Sequence, residues 1–175
     1  MFYVFLDMDG VINAISKKPP VQNTGWAGEW KTEKVEGWDI LWSTELIDHL
    51  NFLNTLEDVQ IVVLSTWRTK AVEHLFPAFG LEAKEDWVVL DPDGVSHGYA
   101  GGWRFNTQWW KLTEVQNFVD DHHGDRFIWL DDDINLSAAA LDYVENHSEI
   151  LAIAPQSAHG LTSGHVKAIM DFINE

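Results

Sequence analysis

The chain has no cysteine among its 175 residues. That excludes a disulfide framework, a disulfide-linked partner and any thiolate metal site. Basic residues are scarce: 11 Lys and Arg stand against 28 Asp and Glu, for a net charge of −17. A surface of that sign repels nucleic acid and anionic membranes unless a local basic patch overrides it. No apolar run approaches the roughly 20 residues of a membrane span. The opening "MFYVFLDMD" is apolar but short, and it lacks the basic flank of a signal peptide. A cytoplasmic protein with no membrane partner is therefore expected. Aromatic residues are plentiful by contrast, with ten Trp.

The length suits a single domain over residues 1–175, large enough to bury a real core. Short apolar runs alternate with helical patterns along it. Phe2–Leu6, Val59–Leu64, Trp87–Leu90, Arg126–Leu130 and "EILAIA" read as five strands. Leu46, Leu50, Leu53 and Leu56 repeat at helical spacing behind Ser43 or Thr44 as N-cap. Further helices are predicted over "RTKAVEHLFPAFG", stopping near Pro77 and Gly80, and over "KLTEVQNFVDDHHG". Two more are predicted over "SAAALDYVENH", with Ser137 as N-cap, and over "TSGHVKAIMDFI". Continuous apolar strands separated by helices predict an α/β fold of three layers, with a parallel sheet covered on both faces. Two segments, about 13–42 and 91–109, lack clear periodicity. Both carry Trp and Gly, so ordered flaps forming a partial lid are expected there.

Sheets of this type place their sites beyond the strand C-termini. The first strand ends in Asp7 and Asp9, the second in Ser65, Thr66 and Arg68, and the fourth in Asp131, Asp132 and Asp133. Lys111 starts the helix before the fourth strand. Carboxylates gathered on one edge repel one another unless a cation sits between them. Clustered carboxylate oxygens suit Mg²⁺, which pairs readily with phosphate. A hydroxyl and a lysine beside them can hold phosphate oxygens. The set fits phosphoryl transfer: a nucleophilic carboxylate, a proton shuttle, a metal and a phosphate cradle. His122 and His123 sit at a helix end, where polar residues belong, and His159 and His165 lack companions at ligand spacing. None of the four is read as a metal ligand.

The chain nearly repeats itself: "VFLDMDGV" at Val4–Val11 and "VVLDPDGV" at Val88–Val95. The middle residue separates them. A loop that cradles phosphate must offer backbone N–H groups, and Pro92 has none. "Pro-Asp-Gly" is instead a β-turn signal. After Asp91 no strand ends in Ser or Thr before the acidic cluster. The first stretch is the site, and the second is a turn.

"FLDMDGV", "VVLSTWR", Lys111 and "IWLDDD" together resemble the four ordered motifs of the haloacid dehalogenase (HAD) phosphohydrolases. The C-terminal "APQSAHGLTSGHVKAIMDFI" resembles the HAD domains associated with Swiss-army-knife RNA repair proteins. The resemblance implies a Rossmann-like sheet of order 5-4-1-2-3 and a minimal cap made of flap loops. It implies Asp7 as the nucleophile that becomes an aspartyl-phosphate. Asp9 would protonate the leaving group, then activate water, and lend its backbone carbonyl to Mg²⁺. Ser65 would bond the phosphate, and Lys111 would neutralise charge on the phosphoryl group and Asp7. Asp7, Asp9, Asp131 and Asp132 make the implied metal set. Thr66, Arg68 and Arg104 are the candidate substrate contacts, with Arg68 equally readable as a structural partner for a carboxylate. Arg104 also competes with Lys111 for the role of cation.

Two other classes compete. A response-regulator receiver would use Asp91, but it needs Ser or Thr after the fourth strand and Lys after the fifth. Here those strands end in "DDD" and "APQ". A degenerate HAD fold acting only as a binding protein is opposed by the intact set of acids, hydroxyl and lysine. The expected activity is Mg²⁺-dependent phosphomonoester hydrolysis. Trp in the flaps can stack on a base, and Lys17, Lys18 and Arg104 add positive charge there. A small nucleotide-like phosphate is the first expectation for a substrate, and a nucleic-acid end the second.

Overall fold

A computed structural model of the chain describes residues 1–84, 87–91 and 109–175. Seven strands are found among them: β1 (Phe2–Leu6), β2 (Trp30–Val35), β3 (Trp38–Ser43), β4 (Val59–Val63), β5 (Val88–Val89), β6 (Arg126–Leu130) and β7 (Ile150–Ile153). Five of them form one parallel sheet of order β5-β4-β1-β6-β7. The predicted 5-4-1-2-3 counted only the sheet strands. β2 and β3 form a separate antiparallel pair that was not predicted, and they shift every later number by two.

The helices are α1 (Val21–Thr24), α2 (Thr44–Thr55), α3 (Phe76–Phe79), α4 (Trp110–Asp121), α5 (Ala138–Glu145) and α6 (Ser163–Asn174). Two apolar cores lie on opposite faces of the sheet. Side chains alternate along a strand, so Val4 and Leu6 of β1 enter one core while Tyr3 and Phe5 enter the other. The first core takes Leu46, Leu50 and Leu53 of α2 and Ile169 of α6. The second takes Leu112, Val115 and Val119 of α4. Burial on both faces explains why the strands read as unbroken apolar runs rather than alternating ones. Among the described residues no helix is long and apolar enough to cross a membrane.

Helix boundaries follow local chemistry with two departures. Ser137 caps α5, accepting the Ala140 N–H at 3.2 Å, as its sequence position predicts. Ser43 precedes α2 but makes no side-chain cap bond. Pro77 does not stop the helix around it. A π-helical turn at Ala71–Leu75 runs directly into α3, where Pro77 occupies the first turn and its missing N–H costs nothing. Gly80, at φ 78°, ends it.

The segment 13–42 is not an irregular flap. It holds α1 and the β2–β3 hairpin, turned by Glu36 and Gly37 at φ 50° and 87°. Positive φ at both turn residues is the twist a two-residue hairpin requires. β2 is largely exposed and polar, which hides its periodicity. β3 is anchored by buried Ile40, Leu41 and Trp42. Trp26 is also buried, its indole N–H donating to the Leu161 carbonyl at 2.8 Å, so it is core rather than lid. Of the other expected flap, residues 92–108 lie outside the described residues.

Candidate functional site

Strand register brings the site together. Leu6 of β1 pairs with Val63 on one side and Leu130 on the other. The ladder continues one residue further, with the Asp7 N–H donating to the Leu130 carbonyl at 3.1 Å and the Asp131 N–H to that of Ile153 at 3.2 Å. Asp7 and Asp131 are therefore neighbours at one sheet edge. By alternation they extend the rows of Phe5 and Trp129, which face α4. α4 begins over that spot, and its second residue is Lys111.

The Lys111 ammonium donates to Asp7 Oδ2 at 2.6 Å and to Asp131 Oδ2 at 2.7 Å. All three side chains are buried. Burial opposes the charge on Lys111, but the attraction of Asp131 and Asp7 prevails and raises its pKa above the ordinary lysine value. Burial pushes the Asp131 carboxyl up, against the pull of Lys111. The backbone N–H of Asp133 donates to Asp131 Oδ1 at 3.0 Å, and that of Met8 to Asp7 Oδ1 at 2.7 Å. Asp132 is half-buried, and desolvation lifts its pKa to about 6.

Carboxylate oxygens of Asp7, Asp131 and Asp132 lie within 4.8 Å of one another. Ligands at ~2.1 Å around an octahedral Mg²⁺ stand roughly 3–4 Å apart, so small side-chain adjustments suffice. Three carboxylates against one ammonium leave two negative charges to be compensated. The donor set, all oxygen, is one that Mg²⁺ prefers.

The loop after β1 shapes the other side. Ile12 and Asn13 both donate backbone N–H groups to the Met8 carbonyl at 2.9 Å, closing a tight turn. Gly10 takes φ 73° and lies against the Asp132 carboxylate. That left-handed backbone is one that glycine adopts without steric cost. Asp9 is not one of the three clustered carboxylates. Its Oδ1 accepts from Asn13 Nδ2 at 2.6 Å and its Oδ2 from the Trp67 indole N–H at 2.8 Å.

Ser65 is fully buried just past β4, with its hydroxyl oxygen 3.4 Å from the Trp67 N–H, and Thr66 beside it is exposed. Arg68, at φ 52°, pairs with Asp91 at 2.9 Å. That contact matches its reading as a carboxylate partner, and it ties the end of the β5 segment to the β4 loop. Arg104 lies outside the described residues. Asp7, Lys111, Asp131 and Asp132 are thus in one place, with Asp9 and Ser65 joined through Trp67. Asn13 and Trp67 escaped the sequence reading. Their only local signals are an amide a helical turn after Asp9 and a Trp two residues past Ser65.

A family model described as the HAD domain in Swiss Army Knife RNA repair proteins matches residues 3–166. No curated protein and no solved structure matches the chain.

Proposed function

The chain belongs to the family of HAD domains in Swiss Army Knife RNA repair proteins, and from that premise we propose that it is a Mg²⁺-dependent phosphomonoesterase working through an aspartyl-phosphate on Asp7. The observation that carries this reading is the buried Asp7–Lys111–Asp131 constellation at the strand ends. The Lys111 ammonium donates to Asp7 Oδ2 at 2.6 Å and fixes the orientation of that carboxylate in the site. Asp7 Oδ attacks phosphorus as the ester P–O bond breaks, and the leaving oxygen takes a proton from Asp9. Asp9, now a carboxylate, accepts a proton from water. That water oxygen attacks the phosphorus and the Asp7–phosphate bond breaks, releasing phosphate and restoring both acids. Ser65 and Thr66 offer hydroxyls to the phosphate oxygens, and Arg68 and Arg104 stand as substrate contacts. Asp7, Asp131, Asp132 and the Asp9 main-chain carbonyl would hold Mg²⁺. When bound, the ion supplies compensation for the phosphate and carboxylate charges.

The acidic surface supports a small, nucleotide-like phosphomonoester as substrate, because a long polyanion would meet a net charge of −17. Family membership favours a second reading, a terminal phosphate on a nucleic-acid end. Comparing kcat/KM for mononucleotides, sugar phosphates and 3′- or 5′-phosphorylated oligonucleotides at fixed salt separates the two. A preference for the oligonucleotides of about tenfold or more makes the nucleic-acid end primary. Asp7→Asn decides the reaction itself. The variant should fold and show no turnover, since an amide is a very poor nucleophile. Wild-type-like activity would refute the assignment.

A further inference from the structure

Both carboxylate oxygens of Asp9 are held by side chains with no role in the chemistry above. Asn13 Nδ2 donates to Oδ1 at 2.6 Å, and the Trp67 indole N–H donates to Oδ2 at 2.8 Å. The two donors come from separate loops, one after β1 and one after β4. Each is itself anchored. Asn13 is 3% exposed, and its amide oxygen accepts the Leu41 N–H of β3 at 2.9 Å. The ring of Trp67 packs on the core that fills the α2 and α6 face, and its backbone N–H lies 3.4 Å from the Ser65 hydroxyl.

Neither an amide nor an indole exchanges protons in this range, so neither can do the acid–base work. They can fix where that work is done. An aspartate side chain turns freely about its two torsions, and separate donors on its two oxygens remove both freedoms. Each carboxylate oxygen keeps a further lone pair, so a proton-carrying position stays open. Misplacing a catalytic group by an ångström costs up to about a hundredfold in rate.

We propose that Asn13 and Trp67 are positioning residues that hold the Asp9 carboxyl in the orientation from which it delivers a proton to the leaving oxygen. The inference rests on the phosphatase reading of the site. It also assigns a purpose to the hairpin. Because Asn13 bridges Asp9 and Leu41, the seating of β3 against the β1 loop sets the angle of the acid.

A leaving-group comparison tests this. Phenolate is a poor leaving group and needs the proton, whereas p-nitrophenolate leaves with far less help. The kcat and KM for phenyl phosphate and p-nitrophenyl phosphate are measured at saturating Mg²⁺. The proteins are wild type, Trp67→Phe and Asn13→Asp, with Asp9→Asn and Asp7→Asn as references. Trp67→Phe keeps an aromatic ring and loses the N–H. Asn13→Asp keeps the acceptor for Leu41 and loses the donor to Asp9. Each should lower kcat for phenyl phosphate on the order of tenfold more than for p-nitrophenyl phosphate, with KM little changed, in the same sense as Asp9→Asn. Equal losses on both esters, or none, overturn the inference and leave the phosphatase reading standing. Should Trp67→Phe fail to fold, Asn13→Asp decides alone. A wild type inactive on both esters, or an active Asp7→Asn, overturns the phosphatase reading and this inference with it.

Discussion

Replacing Lys111 by Met keeps most of the side-chain volume and deletes its charge. The ammonium lies 2.6 Å from Asp7 and 2.7 Å from Asp131, with side-chain exposures of 4%, 8% and 0% for Lys111, Asp7 and Asp131. Losing one partner of such a buried set leaves carboxylates without compensation, at a cost of about 3–5 kcal/mol. A domain of this size loses roughly 2–4 °C in Tm per kcal/mol, so a drop on the order of 6–20 °C is expected. One effect works in the opposite direction. Burial already favours the protonated form of Asp131, and without Lys111 that carboxyl escapes part of the penalty by taking up a proton. The drop should therefore fall toward the lower end of the range. Thermal unfolding of wild type and Lys111→Met, near neutral pH with chelator present, measures it. Adding MgCl₂ should then restore more Tm to the variant than it adds to wild type. In the variant the ion takes over the compensation of Asp7 and Asp131 that Lys111 gives in the wild type. A variant melting within about 2 °C of wild type in chelator would refute the claim that Lys111 compensates these two carboxylates. Turnover should be lost in either case, because the phosphoryl charge loses its lysine.

Asp131→Asn should raise the Mg²⁺ concentration needed for half-maximal rate, with excess metal recovering part of the activity; an unchanged metal dependence would remove Asp131 from the ligand set. Gly10→Ala should destabilise by roughly 1–2 kcal/mol through left-handed strain and should displace the Asp132 carboxylate. It should also raise the Mg²⁺ requirement, and a wild-type Tm and metal titration would refute the contact. His165 gives a pH test remote from the acids. Its Nδ1 accepts the Thr162 N–H at 3.1 Å, closing a capping box on α6, and burial lowers its pKa below the ordinary 6.5. The folded protein holds that proton less readily than the unfolded chain, so this stabilisation is present above 6.5 and lost as pH falls through the lowered value. The Tm difference between wild type and His165→Gln should shrink from about pH 7.5 to about pH 5, and a constant difference would refute it.

Local pattern alone determined a good deal. Runs such as "FYVFL" and "RFIWL" must be strands buried on both faces, because a continuous apolar segment of that length has no solvated side. The contrast between Pro92 and Met8 is legible in the same way, since a missing N–H is a property of one residue and needs no partner. Acid-bearing strand ends followed from the same reading, because parallel strands share a C-terminal edge whatever their order.

Register and distance belonged to the tertiary structure. The pairing of Leu6 with both Val63 and Leu130 sets Asp7 beside Asp131, and no local pattern encodes which strands are adjacent. The burial of Lys111 depends on where α4 begins over the sheet. Arg68 pairs with Asp91, a residue just past β5 that no local pattern links to it. The hairpin was invisible because β2 is polar on its own and becomes a strand only through β3, whose buried side chains seat it. Asp9 reads as an acid from its motif, yet its angle is fixed by Asn13 and Trp67 on different loops. A residue's chemistry is carried by its own atoms, and so it is legible in sequence. Its orientation is carried by its neighbours, and only the folded chain brings them together.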